Sequence, residues 1–376
     1  MFSIFLSLLL CAGASSRTIT LNSRALTPSN VPLDDFFLGT DLQQVYLLLP
    51  NPLSDSWIDV GTPPQEITVV FDTGSRTLEF ASTLCGSCNQ AKFDPTHSST
   101  FVDGGSTSSI TFSTGVGVDP VVGANYRLTL RSATDTVSIG GFEVPNVALF
   151  LITDQTPKFD IDPFSGIQGM GAQATGLFAG LVAQGLPSLF SLYLTPLAVG
   201  NAELTLGGID ETKFKGDLIF ASLPKPASGV WRLPSPGITV NGKTTTLLQT
   251  TRSIIFDSGT SNVLFSTDTT EAIYALISPD IVPHASEAGT YGIACDSIPS
   301  LAAAISIAFT AQDGSVFNLT IPSSELSVGP FADDPTVCQT LINAFDGLEL
   351  VGGSLLKHYY SVWDVGAQRM GFAEVV

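Results

Sequence analysis

The same short pattern occurs twice in this sequence, and it constrains the fold more than any other feature. Three bulky apolar residues lead into an aspartate, a hydroxyl residue, a glycine and a second hydroxyl residue, at Val69-Val70-Phe71-Asp72-Thr73-Gly74-Ser75 and Ile254-Ile255-Phe256-Asp257-Ser258-Gly259-Thr260. The apolar residues favour a strand, and the glycine permits a tight turn. One Asp-Thr-Gly is typical of an ordinary turn. Two copies predict two equivalent strand ends that each present a carboxylate.

A second element repeats behind each aspartate. An apolar-x-Gly run ends 97 residues after Asp72 and 95 residues after Asp257, at Ile167-Gln168-Gly169 and Leu350-Val351-Gly352. The two aspartates are 185 residues apart, about the length of one lobe. The sequence therefore predicts an internal duplication, with an N-terminal lobe over residues 41–200, a C-terminal lobe over 201–376 and the two carboxylates at a pseudo-twofold axis.

Most of the remaining chain has the pattern of short strands closed by turns. It contains 35 glycines and 23 prolines, which suits an all-β, mainly antiparallel architecture with a few short helices. One helix is expected over 268–277, with Ser266, Thr267 or Asp268 as its cap, and another over 176–184. Residues 301–311 form the longest apolar stretch after the N-terminus and are assigned to the core, so no membrane span is expected.

The charge balance excludes some partners. The chain has 15 basic and 34 acidic residues and a net charge of −19, so it lacks the clustered cations that bind nucleic acid or anionic lipid. In acid the carboxylates neutralise, and few positive charges remain to repel one another. The composition is therefore compatible with work in acid, and equally with acidity that serves only solubility.

The N-terminus and the cysteines indicate secretion. Residues 1–14 carry no charge and end in small residues, as a signal peptide does, and residues 15–40 have the composition of a short leader or prosegment. Removal of Cys11 would leave four cysteines, which allow three pairings. The pairing Cys85–Cys88 and Cys295–Cys338 is favoured because each bridge then stays within one half. A redox motif at Cys85–Cys88 lacks its βαβ context, and a zinc site would need thiolates from distant segments.

Two carboxyl groups held a few ångströms apart cannot both ionise at low cost, so they share one proton and act as acid and base together. Other hydrolytic chemistries have weaker support, because the three histidines form no metal-binding pair and no Gly-x-Ser-x-Gly elbow occurs. Gly242-Lys243-Thr244 resembles the end of a phosphate loop, but Asn241-Gly242 between strands is typical of a hairpin turn. A carboxylate pair could also hydrolyse glycosides.

The order of these landmarks resembles that of the pepsin-like aspartic endopeptidases, of the fungal secreted type. The resemblance covers roughly residues 45–376 and also includes Val60-Gly61-Thr62-Pro63, Phe93-Asp94-Pro95, Leu206-Gly207-Gly208, Tyr360-Ser361-Val362-Trp363-Asp364 and Met370-Gly371-Phe372. It implies a bilobal fold with a substrate cleft, Asp72 and Asp257 as the catalytic pair, and a hairpin flap at Phe112, Ser113, Thr114 and Gly115. It further implies that Thr73 and Ser258, beside Gly74 and Gly259, brace the pair, while Ser75 and Thr260 bond its outer oxygens.

The sequence departs from the family pattern around the flap. The family's flap tyrosine and the tryptophan that it bonds correspond to Phe112 and Glu79, so both ends of that hydrogen bond are missing. Gln168 replaces a usually apolar residue near the pair. The leader lacks the lysine that commonly pairs with the two aspartates in zymogens, which leaves a zymogen stage uncertain.

The sequence therefore predicts a secreted, monomeric aspartic endopeptidase that cleaves extended peptides in acid, prefers bulky apolar residues around the scissile bond, and uses neither metal nor cofactor. The altered flap motivates an alternative, a pepsin-fold binding or inhibitory protein without turnover, and a β-rich carbohydrate-active protein is a further possibility. Asn318, in Asn318-Leu319-Thr320, is the candidate glycosylation site.

Overall fold

The computed structural model describes residues 26–37, 43–46, 58–115, 117–196 and 201–376. The predicted signal peptide, residues 1–14, lies outside the described residues, as does the greater part of the predicted leader. The described end of the leader region contains a strand, Ser29–Phe37, which pairs with a strand of the body, Ala202–Leu206.

The described residues before residue 210 contain twelve strands. They are β1 Ser29–Phe37, β2 Gln43–Tyr46, β3 Ile58–Val60, β4 Gln65–Ile67, β5 Val69–Asp72, β6 Leu78–Ala81, β7 Val102–Thr111, β8 Arg127–Ile139, β9 Phe142–Gln155, β10 Gly166–Gly169, β11 Leu189–Tyr193 and β12 Ala202–Leu206.

Fifteen strands follow within the described C-terminal part. They are β13 Phe214–Ser222, β14 Arg232–Ser235, β15 Gly237–Val240, β16 Arg252–Phe256, β17 Val263–Phe265, β18 Val282–Pro283, β19 Tyr291–Ala294, β20 Ile305–Thr310, β21 Val316–Ile321, β22 Ser327–Pro330, β23 Val337–Thr340, β24 Ile342–Ala344, β25 Leu350–Val351, β26 Tyr359–Asp364 and β27 Arg369–Val375.

Helices are short in this fold. The α-helices are α1 Gly176–Ala183, α2 Thr267–Ile277 and α3 Gly353–Leu356, and the 3₁₀ helices are Pro95–His97, Pro157–Ile161, Cys295–Ser300 and Ser323–Glu325. Both predicted helices are present. Ser266 caps α2 by accepting a hydrogen bond from the backbone of Thr269, as its position before the apolar pattern predicted. None of the helices in the described ranges has the length and apolar character needed to cross a membrane.

The two Asp motifs have the same strand arrangement, as the predicted duplication requires. β5 runs parallel to β10, with Asp72 opposite Gly169, and β10 is antiparallel to β6. In the second half β16 runs parallel to β25, and β25 is antiparallel to β17. Each apolar-x-Gly run thus lies between the strand that ends at the aspartate and the strand that follows it. The sheets are mainly antiparallel, and the parallel pairs at the two motifs arise because the apolar-x-Gly strand arrives from a distant part of the chain.

Strands from both halves also form one continuous sheet between the lobes. β11 pairs with β12 on one side and with β26 on the other, while β12 pairs with β1. Below this sheet the aromatic rings of Phe190 and Trp363 stack at a centroid distance of 5.9 Å, and Trp231 meets Trp363 edge-on at 5.3 Å. Both tryptophans are fully buried. The sheet and these rings join the halves at the base and leave the opposite side for a cleft.

Two further predictions are confirmed. The disulfides are Cys85–Cys88 and Cys295–Cys338, each within one half. Asn241 and Gly242 have backbone φ angles of 51° and 75°, and Val240 bridges to Lys243, so the segment that resembles a phosphate loop is a tight turn.

Candidate active site

The structure brings Asp72 and Asp257 together between the two lobes. Each lies just beyond or at the end of its central strand, and only 8% and 6% of their surfaces are exposed. Both line the same cleft, and each carboxyl group lies against the glycine of the opposite motif. Burial and the neighbouring Asp72 carboxyl group raise the pKa of Asp257 well above its usual range. A pair in this state holds one proton between two carboxyl groups.

Four hydrogen bonds brace the two turns against each other. The Thr73 hydroxyl donates to the Phe256 carbonyl at 3.1 Å and accepts from the Ser258 backbone at 2.9 Å. The Ser258 hydroxyl likewise donates to the Phe71 carbonyl at 2.6 Å and accepts from the Thr73 backbone at 3.1 Å. Thr73 and Ser258 are both fully buried, so these bonds are shielded from competing water. They fix the two turns, and hence the two carboxyl groups, in one relative position.

The second hydroxyl residues of the two motifs, Ser75 and Thr260, differ from each other. Thr260 donates to the outer oxygen of Asp257, Oδ2, at 2.8 Å, as expected. The Ser75 hydroxyl oxygen is buried but has no hydrogen-bond partner among the described residues. The expectation that Ser75 bonds an outer oxygen of Asp72 is therefore wrong in this structure. The support of the two aspartates is asymmetric, although their turns are equivalent.

Glycine is required at positions 74 and 259 because the carboxyl group of the opposite aspartate lies close to each of them. The backbone of Gly74 donates to Asp72 Oδ1 at 2.7 Å, and that of Gly259 donates to Asp257 Oδ1 at 2.8 Å. A Cβ atom on either glycine would lie 2.6 Å from the carboxyl group of the opposite aspartate. Any side chain here would push the two carboxyl groups apart.

The predicted flap residues begin a longer loop that joins β7 to β8. The Phe112 backbone donates to the Tyr126 carbonyl at 3.0 Å, which closes the loop at its base. The Phe112 ring packs edge-on against Phe159 at 5.7 Å and covers the aspartates from the N-terminal lobe. Beyond Gly115 the loop reaches the other lobe, where the Asn343 amide donates to the Val118 carbonyl at 2.9 Å. The sequence did not predict this contact, because it joins residues 225 positions apart.

Glu79 lies where the resemblance expected a partner for the flap. It is completely buried in β6, and neither carboxyl oxygen has a hydrogen-bond partner among the described residues. Burial raises the pKa of Glu79 to about 8. Gln168, on the neighbouring β10, is also buried, and its amide donates to the Gly169 carbonyl at 2.8 Å. Since Phe112 has no hydroxyl, its side chain makes only apolar contacts, with Phe159 among them.

The cleft extends to both sides of the two aspartates. One side, an open pocket of about 680 Å³, is lined mostly by apolar residues, including Val70, Phe112, Phe159, Phe164 and Ile167. The other side is lined by Arg76, Glu79, Ile110, Val230, Ile255 and Leu348 among others. Asp72 and Asp257 line both sides, so an extended peptide that lies along the cleft would pass over their carboxyl groups.

Two of the features singled out in the sequence, the candidate glycosylation site and the second disulfide, lie away from the cleft. Asn318 is in β21 with its side chain exposed. The Cys295–Cys338 disulfide ties the 3₁₀ helix that begins at Cys295 to β23.

Asp162 was not recognised in the sequence, yet it lines the cleft beside the aspartates. Its only sequence signal is an acidic residue within an apolar segment.

Comparison with known proteins gives a consistent result. The family described as "Eukaryotic aspartyl protease" matches residues 56–375. Pepsin A of Sus scrofa is 32% identical over 340 residues, which cover 85% of this chain and 80% of that protein. Pepsin II-1 of Oryctolagus cuniculus is 30% identical over 340 residues, with coverage of 84% and 79%. Rhizopuspepsin-4 of Rhizopus niveus is 28% identical over 333 residues, with coverage of 85% and 76%.

Proposed function

Because the chain belongs to the eukaryotic aspartyl protease family and is a pepsin-like aspartic-type endopeptidase, we propose that Asp72 and Asp257 are its catalytic carboxyl groups. The observation that carries this proposal is that four hydrogen bonds between the two turns hold both carboxyl groups together in the cleft. The alternative of a binding protein without turnover is not favoured, since the matched family and relatives are proteases and both aspartates are present.

In the proposed mechanism Asp257, whose pKa is raised by burial and by the neighbouring Asp72, carries the shared proton, and Asp72 acts as the base. Asp72 takes a proton from a water molecule, whose oxygen attacks the carbon of the scissile carbonyl. Asp257 donates its proton to the carbonyl oxygen, which gives a neutral tetrahedral diol. Asp72 then passes its proton to the amide nitrogen, the C–N bond breaks, and one hydroxyl of the diol returns its proton to Asp257 as the carboxylic acid forms, so the pair again holds one proton. Activity requires one shared proton, so the pH profile should be bell-shaped.

The surroundings support the finer parts of the proposal. The apolar lining of the cleft favours peptides with bulky apolar side chains around the scissile bond. Two disulfides suit an oxidising compartment, in agreement with secretion after removal of the predicted signal peptide. Both aspartates come from one chain, so a monomer contains the complete site. The chain is suited to acid because it has few basic residues. Once its carboxyl groups are protonated, few positive charges remain to repel one another.

Digestion of an unfolded protein between about pH 2 and 7 tests the proposal. We expect the purified protein to cleave it with an acid optimum, and Asp257→Asn to reduce kcat/KM by about 10²- to 10⁴-fold. Asp217→Asn, which removes an exposed carboxylate in β13, is the matched control and should leave cleavage unchanged. Full activity of Asp257→Asn would refute the mechanism.

A further inference from the structure

One carboxyl group in the cleft takes no part in the proposed reaction. Asp162 follows the 3₁₀ helix Pro157–Ile161 and lines the same side of the cleft as Phe112 and the two aspartates. Only 7% of its surface is exposed, and its Oδ1 atom has no hydrogen-bond partner among the described residues. Buried carboxyl oxygens normally have a partner. An unpartnered one at a substrate cleft points to a group supplied by the substrate.

None of the described residues that line this side of the cleft forms a hydrogen bond with Asp162 Oδ1. The lining is chiefly apolar, with Val70, Leu128, Ile152, Phe159, Phe164 and Ile167. The two amide side chains of the lining donate elsewhere: Gln90 donates to the Phe159 carbonyl at 2.6 Å, and Gln155 donates to Asp160 at 3.0 Å. An apolar wall with one carboxyl group matches a side chain that is aliphatic along its length and polar at its end.

The nearby charges are also paired with other groups. On the 3₁₀ helix, Lys158 forms an ion pair with Asp119 of the flap loop, and Asp160 accepts from Gln155. Among the residues that line this side, the titratable ones besides Asp162 are Asp72, Asp257 and Tyr126. The Tyr126 hydroxyl donates to Asp119 at 3.3 Å. A cation that enters this side of the cleft therefore meets acidic groups and no competing basic group in the lining.

We propose that this side of the cleft accepts a lysine or arginine side chain of the substrate, and that Asp162 is the specificity-determining residue that binds its cationic end. The inference rests on the proposed function, because it concerns the substrate of that same site. The aliphatic stem of the side chain packs against the phenylalanine rings, and the cation pairs with the carboxylate.

The preference depends on pH. Burial raises the pKa of Asp162 to about 8, so the empty cleft holds a neutral carboxyl group in acid. An apolar side chain then enters without burying a charge. A cation needs the ionised carboxylate, so its binding expels a proton and strengthens as pH rises towards 8, by up to about tenfold per pH unit. The enzyme should prefer apolar residues in strong acid and increasingly accept cationic residues towards neutrality.

Matched peptides test the proposal. In each pair one position near the scissile bond is lysine or norleucine, which have stems of similar length but differ in charge, and kcat/KM is measured for both from about pH 3 to 7. Titration of the catalytic pair affects both peptides and cancels in their ratio. At the position that occupies this side of the cleft, we expect the lysine-to-norleucine ratio to rise with pH in the wild type and to stay flat in Asp162→Asn. Asp160→Asn, with the same change in charge on an exposed neighbour, should behave as the wild type.

Two results would overturn the inference: a ratio that does not rise with pH in the wild type at any position, or a ratio that rises equally in Asp162→Asn. The pH dependence of the ratio in the wild type needs no variant, so the inference can be rejected even if Asp162→Asn does not fold. Cleavage of the norleucine peptides is a separate readout. If they are cleaved and the ratio is flat, only the specificity inference fails, whereas the absence of any cleavage refutes the proposed function.

Discussion

Thr73 and Ser258 occupy equivalent positions in the two halves and make the same pair of hydrogen bonds across the axis. Two residues further on, the equivalence ends, because Thr260 donates to Asp257 while the Ser75 hydroxyl has no partner among the described residues. The duplicated backbone keeps the groups that set the position of the carboxyl pair. The hydroxyl groups beside the two aspartates differ between the halves, and this difference affects how the pair holds its shared proton.

The strands that follow the two turns show a larger difference. Glu79 and Leu264 each lie seven residues after their aspartate, and each pairs with the apolar-x-Gly strand of its own half. Both are buried, yet the first half places a carboxylic acid where the second half places an aliphatic side chain. The N-terminal half therefore contains a buried ionisable group that the C-terminal half lacks at the equivalent position. Two of the predictions below test these differences, and one tests what the halves share.

The largest expected effect concerns stability and pH. The pKa of Glu79 is about 8 in the folded protein and near 4.5 in an unfolded chain, so the folded state binds the proton more tightly. Its contribution to stability is fully present below about pH 4.5 and is lost as pH rises to 8, at up to about 1.4 kcal/mol per unit. Glu79→Leu, which copies Leu264, should reduce the loss. Denaturant unfolding at intervals from pH 4 to 8 measures this.

The control for this prediction is Glu143→Gln, which removes an exposed carboxylate of β9 and should leave the pH dependence as in the wild type. If Glu79→Leu loses stability between pH 5 and 8 as steeply as the wild type, the difference between the two halves has no energetic consequence.

A smaller effect, on activity, tests what the halves share. In Gly74→Ala or Gly259→Ala the new methyl group would meet the opposite carboxyl group at 2.6 Å and displace it. A displacement of about 1 Å lowers kcat/KM by about 10²-fold. Because the geometry is the same on both sides, the two variants should lose similar activity, whereas Gly86→Ala, where a Cβ would meet no atom within 4 Å, should lose none. A strong loss in only one of the two would contradict the equivalence of the turns.

The smallest effect tests the asymmetry of the hydroxyl groups. The Thr260 hydroxyl favours the ionised form of Asp257, so Thr260→Val should raise the pKa of Asp257 further. The basic limb of the pH profile, which reports loss of the shared proton, should then move to higher pH by about one unit, with up to a tenfold change in kcat/KM. Ser75→Ala removes a hydroxyl without a partner and should leave the limb in place. Equal shifts in both variants, or a shift to lower pH, would show that the asymmetry does not exist.

Local pattern and repetition were sufficient for much of the fold. The apolar lead-ins of the two Asp motifs predicted β5 and β16, and the recurring apolar-x-Gly runs predicted the strands that pair with them. Ser266 before an apolar periodicity predicted the start of α2. The order of the cysteines predicted both disulfides. In each case the signal lies within a few residues or in a repetition that the sequence itself displays.

What the sequence determined by itself is the plan of the site: two strand ends with aspartates, a glycine beside each, and hydroxyl residues able to brace them. Only the tertiary structure decided which of these groups meet. It gave Thr260 a hydrogen-bond partner and Ser75 none among the described residues, extended the flap loop to Asn343, and placed Asp162 in the apolar wall of the cleft. Such contacts depend on distances between segments that are far apart in the chain, and a hydroxyl or carboxyl group carries no local signal of what will face it once the lobes have packed.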